Sequence, residues 1–306
     1  MTELTHLPIM EVEVIDQLVL NEHGKFLDCT FGRGGHSTAI LKKLSTDGKL
    51  IALDKDKDAI THSVMINDKR FNSIHTSIID YAKTLKKKSF DGIFMDLGVS
   101  SPQIDDPERG FSFMHDGPLD MRMNQDQILD ARHIVNHYEE TQLVEIFKDY
   151  GEERFAKRIA ANICKTRALK EIETTFELSE IVKKSIPFSR EKKHPATRIF
   201  QAIRIEVNQE MNELSLALPL LFDALKNKGR FAVLTFHSLE DRIIKNYFKQ
   251  LTKPPVDNIP KFIPIKDEDV DQETSAINIC STTPSDYEIE RNPRSRSARL
   301  RVIEKK

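Results

Sequence analysis

The first part of the chain alternates short apolar runs with segments that carry apolar residues on one helical face. A first helix is predicted over 7–20, and the apolar runs lie at 26–28, 50–54, 71–75 and 91–98 with helical patterns between them. Strands and helices that alternate in this way form a parallel sheet covered on both faces. The pattern therefore predicts an α/β fold with a doubly wound, Rossmann-like sheet.

The alternation stops in the middle of the chain and resumes afterwards. Residues 106–198 carry helical patterns, among them 139–149 and 153–164, and we expect an inserted, mostly helical domain. Residues 1–105 and 199–306 then form one discontinuous core domain.

The core is predicted to resume with a long helix over 196–218 and a fifth strand over 229–238. Ser238 and Asp241 have the spacing of a capping box for the helix that follows. Residues 252–285 are rich in proline and acidic residues, and this composition predicts a long surface excursion.

A glycine-rich loop follows the first predicted strand. Asp28 ends the strand, and Gly32, Gly34 and Gly35 come shortly after it. Glycine has no Cβ, so the backbone can adopt positive φ and approach a ligand closely. Ser37 is predicted to cap the next helix, whose N-terminus would point backbone donors at the ligand.

The spacing of these glycines excludes two common nucleotide-binding loops. A Walker loop ends in Gly-Lys-Ser/Thr, and a dinucleotide fingerprint needs a third glycine that is missing here. The remaining pattern, Asp28-x-x-x-Gly32-x-Gly34, resembles the first motif of S-adenosylmethionine (SAM)-dependent methyltransferases. A tight turn that binds no ligand is the alternative interpretation.

Three predicted strands end in, or close to, a carboxylate: Asp28, Asp54 and Asp96. Doubly wound sheets bind ligands at the carboxyl ends of their strands. Asp54 lies 20 residues beyond Gly34, the distance at which such folds place a carboxylate on ribose hydroxyls. Each acid alone could be an ordinary strand end, but three acids and a glycine loop on one rim favour a cofactor site.

The segment after the fourth strand reads Ser100-Ser101-Pro102-Gln103. It resembles, in a variant form, the Asp/Asn/Ser-Pro-Pro-aromatic motif with which amino-methyltransferases dock the target nitrogen. A plain turn would use the same residue types. The position of the segment, more than its composition, therefore supports the prediction.

Two segments are candidates for contact with RNA. Arg109 is interleaved with Phe111 and Phe113, a mixture suited to stacking an unpaired base, although both phenylalanines could instead be core residues. Near the end of the chain, Arg294 and Arg296 belong to a run of five arginines that alternates into a predicted strand. We expect that run to form a fixed patch that faces phosphates.

Composition narrows the function classes further. The net charge of −2 does not indicate nucleic-acid binding, so such binding must depend on local patches. The three cysteines form no Cys-x-x-Cys pair, which favours a reduced, cytosolic protein. His133 and His137 have metal-ligand spacing but no accompanying carboxylate motif, so a solvated pair is favoured and no metal is expected. We expect neither a signal peptide nor a membrane span.

Taken together, the motifs resemble the MraW/RsmH methyltransferase family, which methylates N4 of a cytidine in the decoding centre of bacterial 16S rRNA. The matching segments follow the family's order over nearly the whole chain: DCTFGRGGHS, DLGVSSPQ, RGFSF, GPLDMRM, YGEERFAKRIA, HPATRIFQAIRIEVN, FHSLEDRIIK and NPRSRSARLR. The resemblance implies SAM as cofactor and an inserted helical domain that helps to hold RNA. It implies cofactor contacts from Gly34, Gly35, His36, Asp54, Ile78, Asp96 and Gln103. Ile78 stands where the family often has an aromatic residue, so apolar contact with the adenine is expected.

The hypothesised catalytic step assigns the N4 proton to the loop after the fourth strand. The lone pair of cytosine N4 is delocalised into the ring, so an acceptor held against an N4 hydrogen would favour the transition state. The candidates are Asp96, Ser100 and a backbone carbonyl beside Pro102, and Asp96 could equally bind the cofactor. The target base must leave its stack, and Arg109, Phe111 or Phe113 could receive it.

Three other functions stay open at this point. An NAD-dependent oxidoreductase would use the same glycine loop and Asp54. A non-catalytic ribosome-assembly factor would only bind RNA. A DNA methyltransferase would methylate a cytosine in DNA. The favoured interpretation is a cytoplasmic rRNA methyltransferase whose partner is 16S rRNA in the small ribosomal subunit, with no membrane partner. The oligomeric state, including a dimer, is left open.

Overall fold

The computed structural model describes residues 8–187, 194–253 and 274–306. The chain divides into two compact units, of which the first comprises Met1–Gly98 with Glu213–Lys306 and the second comprises Val99–Asn212. The division falls at 98/99 and 212/213, whereas the sequence predicts it at 105/106 and 198/199.

The first unit, called the sheet unit here, contains a single seven-stranded sheet. Its strands are β1 (Lys25–Asp28), β2 (Lys49–Asp54), β3 (Phe71–His75), β4 (Phe90–Asp96), β5 (Leu225–Thr235), β6 (Ala276–Thr282) and β7 (Arg299–Lys305). They are arranged in the order β3-β2-β1-β4-β5-β7-β6. The first five strands are parallel, and β7 is antiparallel to both β5 and β6. The predicted doubly wound sheet and the strand near the end of the chain are confirmed.

Helices cover both faces of this sheet. They are α1 (Glu11–Leu18), α2 (Gly35–Lys43), α3 (Lys57–Ser63), α4 (Ile78–Thr84), most of α11 (Glu210–Ala224) and α12 (Ser238–Thr252). A further short helix, α13 (Asp286–Arg291), lies between β6 and β7 in the chain and buries no residue. No helix in the described part of the chain combines the length and the apolarity that crossing a membrane requires.

Alternate side chains of β1 enter two separate cores. Phe26 packs in one cluster with Leu18 and Ile40, and Leu27 packs in another with Phe231. All are nearly or fully buried, and burying each such side chain stabilises the fold by roughly 1.5–3 kcal/mol. Burial on both faces holds the strands in fixed register, and this fixes the acids at the strand ends.

The second unit, called the helical unit here, has a core of its own. Its helices are α5 (Ser101–Asp105), α6 (Ala131–His137), α7 (Glu140–Asp149), α8 (Ala156–Arg167), α9 (Thr175–Ser185) and α10 (Ala196–Asn208). Fully buried Ile134, Phe147, Ile159, Leu178 and Ile203 join five of them in one apolar cluster.

The long helix predicted over 196–218 is wrong, because the structure contains two helices there. Gln209 has a left-handed backbone, with φ 51°, and this break separates α10 from α11. α10 packs against α6, α7 and α9, so it belongs to the helical unit. This packing explains why the helical unit extends beyond the predicted boundary at 198/199.

The surface excursion predicted over 252–285 is wrong in part. Residues 276–282 form β6, which pairs with β7 at the edge of the sheet. β6 is only seven residues long and follows a proline-rich and acidic stretch, so composition predicts a surface segment there instead of a strand. Residues 254–273 of the predicted excursion lie outside the described residues.

Candidate active site

The loop between β1 and α2 is organised around a buried carboxylate. Asp28 is fully buried, its Oδ2 accepts a hydrogen bond of 2.6 Å from the Ser37 hydroxyl, and its Oδ1 accepts one of 3.1 Å from the Thr30 backbone N–H. Burial raises the pKa of Asp28 to about 7, against the lowering effect of the Ser37 hydrogen bond. Asp28 therefore stabilises the conformation of the loop through hydrogen bonds to residues at both of its ends.

The prediction that Ser37 caps α2 is wrong. The helix begins at Gly35, and its N-cap is Gly34 in a left-handed conformation with φ 76°. Glycine adopts this conformation at little cost, so the chain enters the helix earlier than a serine cap would allow. The Ser37 hydroxyl is thereby left to bind Asp28. The capping box predicted at Ser238 is also displaced by one residue, because His237 is the N-cap of α12.

Two glycines of the loop have distinct roles. A Cβ at Gly34 would lie 2.7 Å from the Phe31 ring, so no side chain fits there. A Cβ at Gly32 would meet no atom within 4 Å, although φ there is 56°. Gly32 thus borders open space where a ligand can approach the backbone.

Asp54, at the end of β2, holds this loop in place. Its Oδ2 accepts a hydrogen bond of 2.8 Å from the Gly32 backbone N–H, and its Oδ1 accepts one of 2.8 Å from the Asp56 backbone N–H. Burial raises the pKa of Asp54, while both backbone donors lower it. The side chain is only partly buried, and its contact with a ribose stays a prediction.

Asp96, at the end of β4, faces a histidine of α2. Asp96 Oδ2 lies 3.4 Å from His36 Nδ1, and His36 Nε2 lies 2.9 Å from the carbonyl oxygen of Ile9. Burial lowers the pKa of His36 to about 4, so the ring is neutral near pH 7. Because the Ile9 carbonyl can only accept, the single ring proton lies on Nε2. The lone pair of Nδ1 then faces Asp96.

A protonated Asp96 carboxyl group would complement that lone pair, because it can donate a hydrogen bond to Nδ1. Burial raises the pKa of Asp96 to about 8, and the neighbouring carboxylates Asp28 and Glu240 raise it further. Near pH 7 the carboxyl group therefore holds a proton that it can share with His36 Nδ1. The Asp96 backbone N–H donates a hydrogen bond of 2.6 Å to the Thr30 hydroxyl, which ties β4 to the glycine loop.

The segment that carries Ile9 is itself fixed. Met10 is the N-cap of α1 and has a left-handed backbone with φ 53°. Its backbone N–H donates a hydrogen bond of 2.7 Å to Oε1 of Glu288 in α13. The chain thus turns sharply just after the carbonyl that His36 binds.

Glu213, in α11, is a site residue that the sequence analysis missed. Its Oε1 accepts a hydrogen bond of 2.8 Å from the Ile78 backbone N–H, and its Oε2 forms an ion pair of 2.9 Å with Lys55 Nζ. It therefore bridges the residue after Asp54 and the first residue of α4. Both ends of this bridge adjoin predicted cofactor contacts. No local sequence signal reveals it, because 135 residues separate Glu213 from Ile78.

Ser100, Pro102 and Gln103 lie in the helical unit, at the start of α5. Ser100 is the N-cap, and its backbone N–H donates a hydrogen bond of 2.9 Å to Oε1 of Gln103. Gln103 is buried. The segment is a capped helical turn, and its contacts with cofactor and substrate stay predictions.

The predicted base-stacking residues take structural roles in the helical unit. Arg109 is buried, and its guanidinium donates a hydrogen bond of 2.9 Å to the carbonyl of Arg122. Phe111 and Phe113 are partly buried against the helical core, and Phe113 stacks on His194 with ring centroids 4.6 Å apart. These contacts match the core role weighed above, and their contact with RNA stays a prediction.

The arginines near the end of the chain divide into two groups. Arg301 in β7 forms a bidentate ion pair with Asp241, at 2.8 and 3.0 Å. Arg294 and Arg296 are exposed in the 3₁₀ turn Pro293–Ser297 that precedes β7. A phosphate contact from these two stays a prediction.

A doubly wound sheet with an antiparallel last strand pair, a glycine loop after β1 and acids at the carboxyl ends of β1, β2 and β4 defines a Rossmann-like methyltransferase. The chain belongs to the MraW methylase family, whose family model matches residues 3–306. This confirms the resemblance drawn from the sequence motifs, together with methyl transfer as the reaction class and SAM as the cofactor. It argues against the oxidoreductase alternative.

Two relatives share the name ribosomal RNA small subunit methyltransferase H. The one from Coxiella burnetii (strain Dugway 5J108-111) is 44% identical over 306 residues, covering 98% of each chain. The one from Legionella pneumophila (strain Corby) is 47% identical over 309 residues, again covering 98% of each chain.

Solved structures resemble the chain more loosely. An rRNA methylase from Streptococcus thermophilus has a TM-score of 0.39 at 10% identity, covering 96% of this chain and 93% of its own. A SAM-dependent O-methyltransferase from Thermotoga maritima has a TM-score of 0.41 at 10% identity, covering 96% and 64%. The assignment rests on the family match and the relatives.

Proposed function

We propose that this methyltransferase acts on small-subunit ribosomal RNA and methylates N4 of one cytidine in the decoding centre of 16S rRNA. The pairing of Asp96 with His36 at the end of β4 is the observation that carries the chemistry. The shared name of the two relatives supports the rRNA substrate. A cytoplasmic location follows from a ribosomal substrate.

The sheet unit suits the cofactor. SAM, when bound, supplies an activated methyl group on a cationic sulfonium, so the protein mainly provides position and electrostatics. The open space at Gly32 admits a ligand to the loop, and the carboxyl groups of Asp54 and Asp96 suit a cationic nucleoside. We assign the binding to Gly34, Gly35, His36, Asp54, Ile78, Asp96 and Gln103.

Asp96 is the proposed proton acceptor. Amine methylation leaves a proton on N4 that must depart, and a general base works best when its pKa lies near the working pH. Burial places the pKa of Asp96 at about 8. In its ionised form the carboxylate takes the proton from N4, and the carboxylic acid that results can donate this proton through Oδ2 to the lone pair of His36 Nδ1. Ser100 and a carbonyl beside Pro102 are the other proposed contacts to the N4 amino group.

The experiment that tests this function is methyl transfer from labelled SAM to small subunits from cells that lack the gene. The expected product is N4-methylcytidine at one decoding-centre position, identified by nucleoside analysis and mapping. Label at another base or another atom would contradict the proposed specificity. Tight subunit binding without transfer would favour the assembly-factor alternative.

A further inference from the structure

Positive charge is concentrated in one segment of the helical unit. Residues 154–170 contain six lysines and arginines and no aspartate or glutamate, in a chain whose net charge is −2. Most of this segment forms α8. Such a concentration raises the local electrostatic potential, although the chain as a whole is slightly acidic.

Two of the six cations are committed within the unit. The Arg167 guanidinium donates hydrogen bonds to the backbone carbonyls of Val135 and Tyr138, at 2.7 and 2.6 Å. Lys170 forms an ion pair of 2.7 Å with Glu177. These two side chains fix the end of α8 to its neighbours.

The other four cations are exposed, and we call them the α8 basic stripe: Arg154, Lys157, Arg158 and Lys165. Arg158 and Lys165 lie seven residues apart, so they share one face of the helix. Arg154 lies in the turn before α8, four residues before Arg158. The opposite face is apolar and buried, through Ile159 and Ile163.

Among the described residues, the stripe has no carboxylate partner. All four side chains are exposed, and none forms an ion pair with a carboxylate of the described residues. Arg154 lies over the ring of Phe155, 4.6 Å from its centroid, and this contact orders its guanidinium. Like charges that lie close together on a surface repel one another, so an external anion would stabilise this arrangement.

We propose that the α8 basic stripe binds the phosphate backbone of the substrate RNA. The inference rests on the proposed function, which supplies the RNA, and it assigns to α8 a contact that carries affinity without reading sequence. The shape of the surface favours a polyanion over a single small anion. Arg158 and Lys165 are about 10 Å apart along the helix axis, so their charges follow a line and do not converge on one point.

The test compares two quadruple variants with equal loss of charge. The stripe variant carries Arg154→Gln, Lys157→Gln, Arg158→Gln and Lys165→Gln. The control variant carries Lys42→Gln, Lys86→Gln, Lys245→Gln and Lys249→Gln, four exposed lysines of the sheet unit without carboxylate partners among the described residues. Binding to unmethylated small subunits is measured over a range of salt concentrations, together with the SAM dissociation constant and kcat.

The stripe variant should bind small subunits at least about tenfold more weakly at moderate salt. The slope of log affinity against log salt should fall by about 3, since each phosphate contact contributes roughly 0.7–0.9. Its SAM affinity and its kcat at saturating RNA should stay within twofold. A variant that differs from the wild type only by Arg154→Lys and Arg158→Lys should keep most of the wild-type affinity for small subunits, because phosphate contact needs the charge more than the arginine fork.

Two outcomes would overturn the proposal. Equal losses in the stripe and control variants would mean that only total charge matters, and unchanged binding in the stripe variant would mean that the stripe is merely solvated. Either result can occur while the wild type methylates N4 normally, so the proposed function would survive it. A wild type that binds subunits through the stripe but transfers no methyl would overturn the proposed function alone.

Discussion

The acids at the strand ends of the sheet unit and the surface acids of the helical unit lie in opposite environments. In the sheet unit, burial raises the pKa of Asp28 to about 7 and that of Asp96 to about 8. In the helical unit, Glu171 and Glu177 lie beside Arg132 and Lys170, whose hydrogen bonds lower the pKa of each carboxyl group. The helical unit therefore uses acids to secure its surface. The sheet unit retains acids that oppose its own folding, which is expected where charge serves a ligand or a reaction.

The largest expected effect of breaking this contrast is catalytic. Asp96→Asn should lower kcat by about 10²–10⁴-fold, because the amide cannot accept the N4 proton. SAM affinity, measured by calorimetry, should change much less. Asp91→Asn, at the opposite end of the same strand, is the control and should leave kcat nearly unchanged. Lost SAM affinity with normal kcat at saturation would leave Asp96 with the cofactor role alone and remove it as the base.

The same residue predicts a pH profile. The wild-type kcat/KM for SAM reports groups of the free enzyme, so it should rise with pH and level off above about 8, as Asp96 loses its proton. In Asp96→Asn the remaining activity should lack that rise. A wild-type profile that is flat between pH 6 and 9 would contradict the role of Asp96 as the base.

The next effect concerns stability. The pKa of Asp28 is about 7 in the folded protein, whereas the ordinary value of an aspartate, which applies to the unfolded chain, is 3.8. Between these two pH values the folded state holds a proton that the unfolded state releases. Stability should therefore fall as pH rises through this window. Asp28→Asn removes that loss. In urea unfolding, the free energy of unfolding of Asp28→Asn relative to the wild type should rise by on the order of 4 kcal/mol from pH 4 to pH 8. Equal pH dependence in both proteins would contradict the burial of an ionisable Asp28.

A smaller effect is expected from the bridge at Glu213. Glu213→Gln keeps an acceptor for the Ile78 N–H but loses the charge that pairs with Lys55, so KM for SAM should rise by about tenfold with kcat within twofold. Glu206→Gln is the matched control in the helical unit, where Glu206 accepts a hydrogen bond from Tyr138. Equal KM values for the two variants would show that Glu213 does not position the cofactor site.

The smallest effect should come from the paired surface of the helical unit. Glu171→Gln removes an exposed partner of Arg132, and exposed pairs contribute little. The melting temperature should change by no more than about 2 °C, and methyl transfer should be unaffected. A change in stability as large as that expected for Asp28→Asn would contradict the contrast between the units.

The sequence predicts the elements whose cause is local. The strands around Asp28, Asp54 and Asp96 follow from apolar runs that end in a polar residue, and the glycine loop follows from residue types in immediate succession. The sheet class and the position of the acids are therefore predictable without coordinates.

What the sequence does not predict depends on distant partners or on single backbone angles. Gln209 breaks a helical pattern that its neighbours would continue, and Ser37 loses its capping role to a glycine conformation. The structural roles of Glu213 and Arg109 depend on hydrogen bonds to residues outside their immediate sequence neighbourhood. The motif RGFSF contains Arg109, but a motif does not distinguish a buried structural arginine from one that contacts RNA.

The hydrogen bond from His36 to Ile9 has a consequence for handling the protein. The same short segment is held by Glu288 of α13 through Met10, so residues from both ends of the chain fix which nitrogen of His36 carries the proton. Trimming the segment before α1, or fusing a partner to it, would therefore act on Asp96, the proposed proton acceptor. Expression variants that differ only in that segment should be compared by pH profile before their activities are compared at one pH.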